Sequence, residues 1–237
     1  FLRLKIRSID NDDKNIDIFT PKPPCDPTTG ICHEPPNIPS PRTMYSAWSE
    51  KQYKNWWNYH ARLNETAQSY AEKKSHHRPL ILLGDSITES WVGTSMGEIR
   101  PRTEGIPEVL DEMVNGKIAV DSTATTTTTN ESNKQIVNAV FDPLVLAISG
   151  DQTQHLLYRL QNGELLAGYD DVAEINNTPP PIYIILIGTN NLGSGELPSP
   201  TAEGILAVSK YVLENTSARS HIILMELLPR GDVEDLK

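Results

Sequence analysis

The sequence predicts an α/β protein, a three-layer α/β/α sandwich around a parallel sheet. Three apolar runs, at residues 80–83, 144–148 and 182–187, each end in small and polar residues. Such runs indicate buried strands, because a strand covered on both faces is apolar along its whole length. Segments with helical spacing separate them. This repeated alternation implies parallel strands joined by right-handed crossovers, so the expected sheet is flavodoxin-like.

Residues 1–44 are predicted to form an arm rather than a domain. The segment 21–41 is rich in proline, so an extended and irregular backbone is expected. Such an arm could tether the chain, lie as a strap across a partner, or wrap the surface of its own domain. The sequence leaves these alternatives open.

Residues 45–74 predict one helix with an aromatic-rich face. Its apolar face is formed by residues at helical spacing, namely Trp56, His60, Leu63, Ala67 and Tyr70. This face could dock a protein partner or line a groove, or it could pack on the domain. His60 is interpreted as a packing residue rather than a catalyst.

Residues 75–237 predict the sandwich that carries the chemistry. Its strands are expected at residues 79–84, 142–149, 182–188 and 221–228, with a further short strand at 117–120. Helices are expected from residue 86 and at 103–115, 153–162 and 201–214, with a loop at 193–200. The threonine-rich segment 121–133 is interpreted as a low-complexity insertion that forms a disordered loop.

The serine after the first apolar run is the candidate nucleophile. Ser86 follows Gly84-Asp85 at the carboxyl end of a strand, where open α/β sheets bind ligands. At a helix start it would lie beside free backbone N–H groups, although an ordinary N-cap serine has the same pattern. Ser149-Gly150 and Thr189-Asn190 end the next two strands and would bring oxyanion donors to the same edge.

These blocks resemble those of the SGNH (GDSL-type) hydrolases, a resemblance that covers about residues 79–231. The blocks concerned are Gly84-Asp85-Ser86-Ile87-Thr88, Ser149-Gly150-Asp151 and Gly188-Thr189-Asn190-Asn191. The match is best with the branch that contains the platelet-activating-factor acetylhydrolase catalytic subunits, which residues 159–165 and 227–231 also resemble.

The resemblance implies a role for each matching residue. Ser86 would be the nucleophile, and its own N–H, the N–H of Gly150 and the side-chain amide of Asn190 would form the oxyanion hole. The residues expected to support the site are Asp85, Asp151 and Thr189. Arg159 and Glu164 are interpreted as a local charge pair.

The general base that the resemblance requires does not occur in this sequence. A serine hydroxyl needs a base, which the family supplies from an Asp-x-x-His block near its C-terminus. No such block occurs in residues 232–237, and no histidine follows His221. Either the natural polypeptide continues past Lys237 with the orienting acid and the base, or the chain is a pseudoenzyme.

The sequence therefore supports two hypotheses. The first is a serine esterase, or acetylhydrolase, that cleaves small acyl esters of carbohydrates or lipids without a metal or organic cofactor. The second is a non-catalytic SGNH-fold subunit that binds or assembles a larger complex through the arm and the aromatic helix. Intact Ser86, Gly150 and Asn190 favour the first hypothesis, and the missing base favours the second. Residues 1–237 alone are expected to be inactive.

Charge and modification signals bear on the compartment. The net charge of −10 argues against nucleic acid as a partner, and no apolar run reaches the roughly 18 residues that a spanning helix needs. Cys25 and Cys32 are a disulfide candidate, and the candidate glycosylation sites are Asn64, Asn130, Asn176 and Asn215. These features predict a glycoprotein of the secretory pathway or the extracellular space, with an organelle lumen as the alternative.

Overall fold

The computed structural model describes residues 34–43, 47, 49–73, 77–115, 117–121, 134–138, 141–166 and 179–228. Within them, helices flank a four-stranded parallel sheet in a three-layer α/β/α sandwich. The predicted fold class is therefore confirmed.

The strands are, in chain order, β1 (Arg78–Gly84), β2 (Thr94–Ser95), β3 (Glu98–Ile99), β4 (Lys117–Asp121), β5 (Lys134–Asn138), β6 (Phe141–Ala147), β7 (Ile182–Leu186) and β8 (His221–Leu224). The α-helices are α1 (Glu50–Glu72), α2 (Ser86–Glu89), α3 (Ile106–Asn115), α4 (Thr153–Arg159), α5 (Thr189–Gly193) and α6 (Pro198–Asn215). Short 3₁₀ turns occupy Ser90–Val92 and Pro101–Thr103, and a π-turn at Leu160–Glu164 continues α4.

The main sheet has the order β6-β1-β7-β8, with every neighbouring pair parallel. Leu82 in β1 pairs with Val145 of β6 on one side and with Ile184 of β7 on the other. Counted along the chain, these core strands follow the order second, first, third, fourth, which is the flavodoxin-like arrangement. Because β1 lies between β6 and β7, the carboxyl ends of three strands meet at one edge of the sheet.

Alternate residues of the buried strands point into two hydrophobic clusters. Ile81 and Leu83 of β1 belong to the larger cluster, which also contains residues of α1, α4 and α6. Leu82 belongs to the smaller cluster, together with Leu110 and Val114 of α3. This burial on both faces explains why each core strand is an unbroken apolar run in the sequence.

The aromatic face of α1 packs against the domain. Trp56 is fully buried in the larger cluster, and its ring lies 6.4 Å from that of Tyr158 on α4. The helix begins at Glu50, later than expected, because the Ser49 hydroxyl caps it by accepting a 3.2 Å hydrogen bond from the N–H of Gln52. Trp56 and Tyr59 are therefore buried in the core of the domain rather than exposed on its surface.

Part of the proline-rich arm wraps its own domain. The hydroxyl of Thr153 donates a 2.8 Å hydrogen bond to the carbonyl of Pro36, and the N–H of Ser40 donates to the carbonyl of Gln154 at 3.2 Å. Residues 34–43 thus lie against the start of α4. Residues 1–33 lie outside the described part of the chain, and with them Cys25 and Cys32.

Several element boundaries differ from the sequence expectation. β8 ends at Leu224 rather than at residue 228, and α6 already begins at Pro198, within a segment expected to be a loop. A proline suits the first helical turn, where its missing N–H has no intrahelical partner to lose. The hairpin of β2 and β3 was not predicted, because two residues per strand are too few to show alternation.

The predicted short strand at 117–120 is part of an antiparallel pair. It is β4, and its partner β5, which was not predicted, lies just after the threonine-rich segment. Most of that segment, residues 122–133, lies outside the described residues, so the predicted disorder stays a prediction.

β8 forms an outer edge of the described sheet, where apolar side chains reach the surface. It pairs with β7 alone among the described strands. Ile223, Leu224 and Met225 are half exposed, and Leu228 is 82% exposed. None of the described helices has the length and hydropathy of a membrane span.

Candidate active site

Three strand ends bring the predicted site residues into one cleft. Ser86 follows β1, Gly150 follows β6, and Asn190 lies in α5 directly after β7. All three line a single cavity of about 600 Å³. The edge of the sheet predicted to carry the site therefore does gather these residues.

The turn before Ser86 depends on the two residues that precede it. A Cβ at Gly84 would overlap the hydroxyl of Thr88 and the backbone oxygen of Leu186, so only glycine allows this approach. Asp85 is the N-cap of α2, because its Oδ1 accepts a 3.0 Å hydrogen bond from the N–H of Ile87. Ser86 is therefore the first residue of the helix and not its cap, which leaves its hydroxyl free of the capping role.

The side chain of Asn190 is held by residues of the two blocks that precede it in the chain. Its Nδ2 donates to the backbone oxygen of Asp151 at 2.8 Å and to Oδ2 of Asp85 at 3.2 Å. Both hydrogen bonds of this amide therefore go to acidic residues of the other two strand ends. Thr189, the third expected supporting residue, begins the same helix.

Gly150 lies directly against an arginine of the arm. Nη1 and Nη2 of Arg42 donate to the carbonyls of Ser149 and Gly150, at 3.3 and 2.7 Å. Gly150 has a φ of +82°, and a Cβ there would lie 2.9 Å from both guanidinium nitrogens. Burial lowers the pKa of Arg42 from its ordinary value, although the charges of Asp151 and Glu34 act in the opposite direction.

A buried carboxylate, Glu89, fastens the block Ser149-Gly150-Asp151, called the glycine block below, to the hairpin of β2 and β3. It accepts the backbone N–H and the hydroxyl of Ser149, at 2.7 and 2.6 Å. It also accepts the backbone N–H groups of Met96 and Gly97 and the hydroxyl of Thr94, at 2.8–2.9 Å. Glu89 is 0% exposed. One side chain of α2 thus fixes both the residue before Gly150 and one wall of the cleft.

A buried ionic network lies beneath the site. Asp151 accepts 2.7 Å hydrogen bonds from Nε1 of Trp56 and from Nε of Arg159. Arg159 also pairs with Glu164, whose other oxygen lies 2.6 Å from Nδ1 of His60. The predicted Arg159–Glu164 pair is therefore present, as part of a network in which both side chains are fully buried.

The carboxylates of this network stabilise the charged form of Arg159. Burial alone would lower the pKa of Arg159, but the carboxylates of Glu164 and Asp151 raise it above its ordinary value. Nη2 of Arg159 also reaches the carbonyl of Gly84 at 3.3 Å. The network thereby links Gly84, in the turn before Ser86, to Asp151 of the glycine block. The carbonyl of Asp151 in turn binds Asn190.

Two buried histidines, His60 and His155, are engaged away from Ser86. His60 faces Glu164, and Nδ1 of His155 accepts from the N–H of Gln152 while its Nε2 lies 3.3 Å from Glu34. His221 begins β8 and so lies at the amino ends of the strands, whereas Ser86 lies at their carboxyl ends. No histidine hydrogen bond to Ser86 occurs among the described residues, and they contain no group of three metal-ligating side chains.

Ser86 also borders a second, more apolar cleft of about 720 Å³. Its walls include Ile87, Trp91, Ile106 and Val109. Arg102 lines both this cleft and the first one. A substrate carbonyl at Ser86 would therefore have a polar cavity on one side and an apolar surface on the other.

Two of the candidate glycosylation sites are described, and both side chains are engaged. Asn64 lies within α1, where its Nδ2 donates to the carbonyl of Asn162 at 3.0 Å. Asn215 ends α6, and its Nδ2 donates to the carbonyl of Tyr211 at 2.8 Å. Asn130 and Asn176 lie outside the described residues, and glycosylation stays a prediction.

Comparison with known proteins points to acetylhydrolases. The chain is 34% identical over 100 residues to the platelet-activating factor acetylhydrolase IB subunit alpha1 of Homo sapiens and of Pongo abelii. It is 33% identical over 101 residues to the alpha2 subunit of Gallus gallus. The chain is distantly related to these acetylhydrolase subunits. Each match covers 41% of this chain and 38% of the relative, and no family model matches the sequence.

Sequence reasoning missed two residues that shape the cleft. Arg42 lies in the proline-rich arm, where no periodicity or motif marks it, and its partner is 108 positions away. Glu89 carries a weak signal, since a carboxylate three residues after Ser86 falls one helical turn away from it. That spacing alone could not show that Glu89 is buried or that Ser149 is its partner.

Proposed function

We propose that the chain is a serine esterase of the SGNH type that cleaves small acyl esters through an acyl-enzyme on Ser86. The observation that carries this proposal is the convergence of Ser86, Gly150 and Asn190 on one cleft from three separate strand ends. The distant similarity to acetylhydrolase subunits supports it. Acetyl esters of carbohydrates or of lipids are suitable substrates.

The proposed reaction begins when Oγ of Ser86 attacks the ester carbonyl carbon and its proton passes to a base. The carbonyl electron pair moves to the oxygen, which accepts hydrogen bonds from the N–H groups of Ser86 and Gly150. Asn190 becomes the third donor by exchanging its bond to Asp85 for one to the oxyanion. The bond to the alcohol oxygen then breaks, and the alcohol leaves with the proton while the acyl group stays on Ser86.

Hydrolysis of the acyl-enzyme completes the cycle. The base takes a proton from water, whose oxygen attacks the acyl carbon, and the bond to Oγ breaks as Ser86 regains its proton. The base is required in both halves, and none of the described histidines lies at Ser86. A histidine of an Asp-x-x-His block is the expected base, and peptide mapping of the natural protein by mass spectrometry is the way to locate it.

The first test is the reactivity of Ser86 in the natural protein. A fluorophosphonate probe should label Ser86, and Ser86→Ala should abolish labelling and lower kcat/KM for 4-nitrophenyl acetate by about 10³-fold or more. Ser199→Ala, an exposed serine in the first turn of α6, is the matched control and should behave as the wild type. Hydrolysis that survives in Ser86→Ala would contradict the proposal.

A non-catalytic binding subunit is the second candidate, favoured by the engagement of His60 and His155 elsewhere. Under this hypothesis the natural protein neither reacts with the fluorophosphonate nor hydrolyses esters. Ser86→Ala would then leave the binding of any partner unchanged. The same labelling experiment therefore separates the two candidates.

A further inference from the structure

The cleft beside Ser86 is cationic, although the chain as a whole carries a net charge of −10. Its charged lining residues are all basic, namely Arg42, Lys51, Arg100 and Arg102. The remaining lining side chains are neutral and mostly polar, including Ser49, Gln52 and Asn55. A positive cavity on an acidic molecule attracts anions to this one place.

Two of these four cations pair with one carboxylate at the rim. Glu98 lies 3.5 Å from Nζ of Lys51 and 2.8 Å from Nη2 of Arg100. The hydrogen bond from Asn55, with the charge of Lys51, lowers the pKa of Glu98 from its ordinary value, so this carboxylate stays ionised. Lys51 and Arg100 therefore have a partner within the protein.

Arg42 and Arg102 form no ion pair within the described residues. Nη1 and Nη2 of Arg42 each donate to a backbone carbonyl, and its Nε is buried without a hydrogen-bond partner among the described residues. Arg102 is exposed, and the one hydrogen bond of its side chain among the described residues is from Nη2 to the hydroxyl of Ser95, at 3.4 Å. Arg42 is 5% exposed, and among the described residues the charges of Asp151 and Glu34 act on it without a direct ion pair.

The position of Arg102 places this positive charge at the reacting group. Arg102 and Ser86 line both the cationic cleft and the apolar cleft, so the two clefts meet at this pair. An ester carbonyl held at Ser86 would direct one of its two substituents towards the arginines. The other substituent would lie along Trp91, Ile106 and Val109.

We propose that the substrate is an ester with an anionic group, a carboxylate, sulfate or phosphate, on its alcohol side, and that Arg42 and Arg102 select it. An arginine fork matches the oxygen geometry of each of these groups. The acyl side lies in the apolar cleft. This inference rests on the proposed function, and it adds the substrate class.

A pair of isosteric esters tests the proposal in the natural protein. The acetyl ester of 4-hydroxybenzoate is anionic, whereas that of 4-hydroxybenzamide is neutral and has nearly the same shape. After each rate is divided by the rate with hydroxide, kcat/KM should favour the anionic ester by about 10-fold. The preference should shrink as salt is added, because the cleft opens to solvent.

Two further esters distinguish the kind of anion. The acetyl esters of 4-hydroxybenzenesulfonate and of 4-hydroxyphenyl phosphate carry a sulfonate and a phosphate in place of the carboxylate. The anion with the largest preference over the neutral ester identifies the group that the arginines select. A preference for any one of them supports the proposal, and equal rates for all four esters overturn it.

Arginine variants assign the preference to the proposed residues. Arg102→Gln, at an exposed position, should reduce the ratio of anionic to neutral kcat/KM to about 3-fold or less. Arg42→Lys keeps the charge but loses the fork, and it should also weaken the preference. Lys54→Gln is the matched control, because Lys54 is an exposed cation on α1 that pairs with Glu50 outside the cleft. An unchanged preference in Arg102→Gln would overturn the assignment.

A binding measurement separates this inference from the proposed function. In Ser86→Ala, calorimetric titration should show tighter binding of 4-hydroxybenzoate than of 4-hydroxybenzamide. If no ester is hydrolysed but this difference persists, the esterase proposal fails and the anion site stands. If esters are hydrolysed but neither rates nor binding discriminate, the anion site fails and the esterase stands.

Discussion

Glu89 shows how much of the site depends on one side chain. Its two oxygens accept five hydrogen bonds, from Ser149, Thr94 and the backbone of Met96 and Gly97. All five partners are donors, so both oxygens must remain acceptors. A carboxylate satisfies this arrangement, whereas an amide of the same size cannot, because its NH₂ group would face backbone N–H groups.

We therefore expect Glu89→Gln to be harmful although it is isosteric. The free energy of unfolding should fall by about 1–3 kcal/mol, as for other buried polar groups left without a partner. Ester hydrolysis should fall as well, because Ser149 holds Gly150 in place. Denaturant titration and kcat/KM measure the two effects. Glu112→Gln, an exposed carboxylate on α3, should change stability by less than about 0.5 kcal/mol. Equal stability of the two variants would contradict this role.

At the scale of elements, the arm segment 34–43 is fastened by a titratable contact. Glu34 lies 3.3 Å from Nε2 of His155 and accepts a hydrogen bond from Thr43. Burial acts to raise the pKa of Glu34, but the hydrogen bond with His155, together with those from Gln154 and Thr43, outweighs it and holds the pKa below the ordinary 4.5. The contribution of Glu34 is thus fully present above pH 4.5 and is lost as the pH falls through its lowered pKa.

The arm should accordingly loosen in acid before the sheet unfolds. Hydrogen exchange at the N–H of Ser40, which donates to Gln154, should accelerate below pH 4.5 after correction for the intrinsic pH dependence. Glu34→Gln should show the faster exchange already at pH 7. Glu203→Gln, on the exposed face of α6, is the control. Unchanged protection of Ser40 in Glu34→Gln would show that the arm is held by other contacts.

At the scale of the whole molecule, the ionic network of Asp151, Arg159, Glu164 and His60 joins α1 to the carboxyl edge of the sheet. Arg159→Met should leave two buried carboxylates without their cation and lower the free energy of unfolding by about 3–5 kcal/mol. Lys210→Met, which removes an exposed i,i+4 pair with Glu214, should cost about 0.5 kcal/mol or less. Denaturant titrations at pH 7 compare the two variants, and similar losses in both would contradict the structural role of the network.

Local patterns in the sequence predicted the sheet and the principal residues of the cleft. Each apolar run marks a core strand, and the residues that follow it, such as Ser86 and Asn190, necessarily meet at one edge of a parallel sheet. Contacts between distant segments were not predictable in this way. Glu89 and Ser149 are 60 positions apart, and nothing in either local pattern indicates the other. The arm had no periodicity from which its path over α4 could be inferred.

The hydrogen bond between Arg42 and Gly150 also sets an order of assembly during translation. The arginine leaves the ribosome before its partner, which lies 108 positions later in the chain. Closing so long a loop costs entropy that the contacts of the folded sheet must offset. The arm segment 34–43 is therefore synthesised before its partner but can take its place only after it, and a nascent chain that stops before residue 150 has the arginine but no glycine block for it to bind.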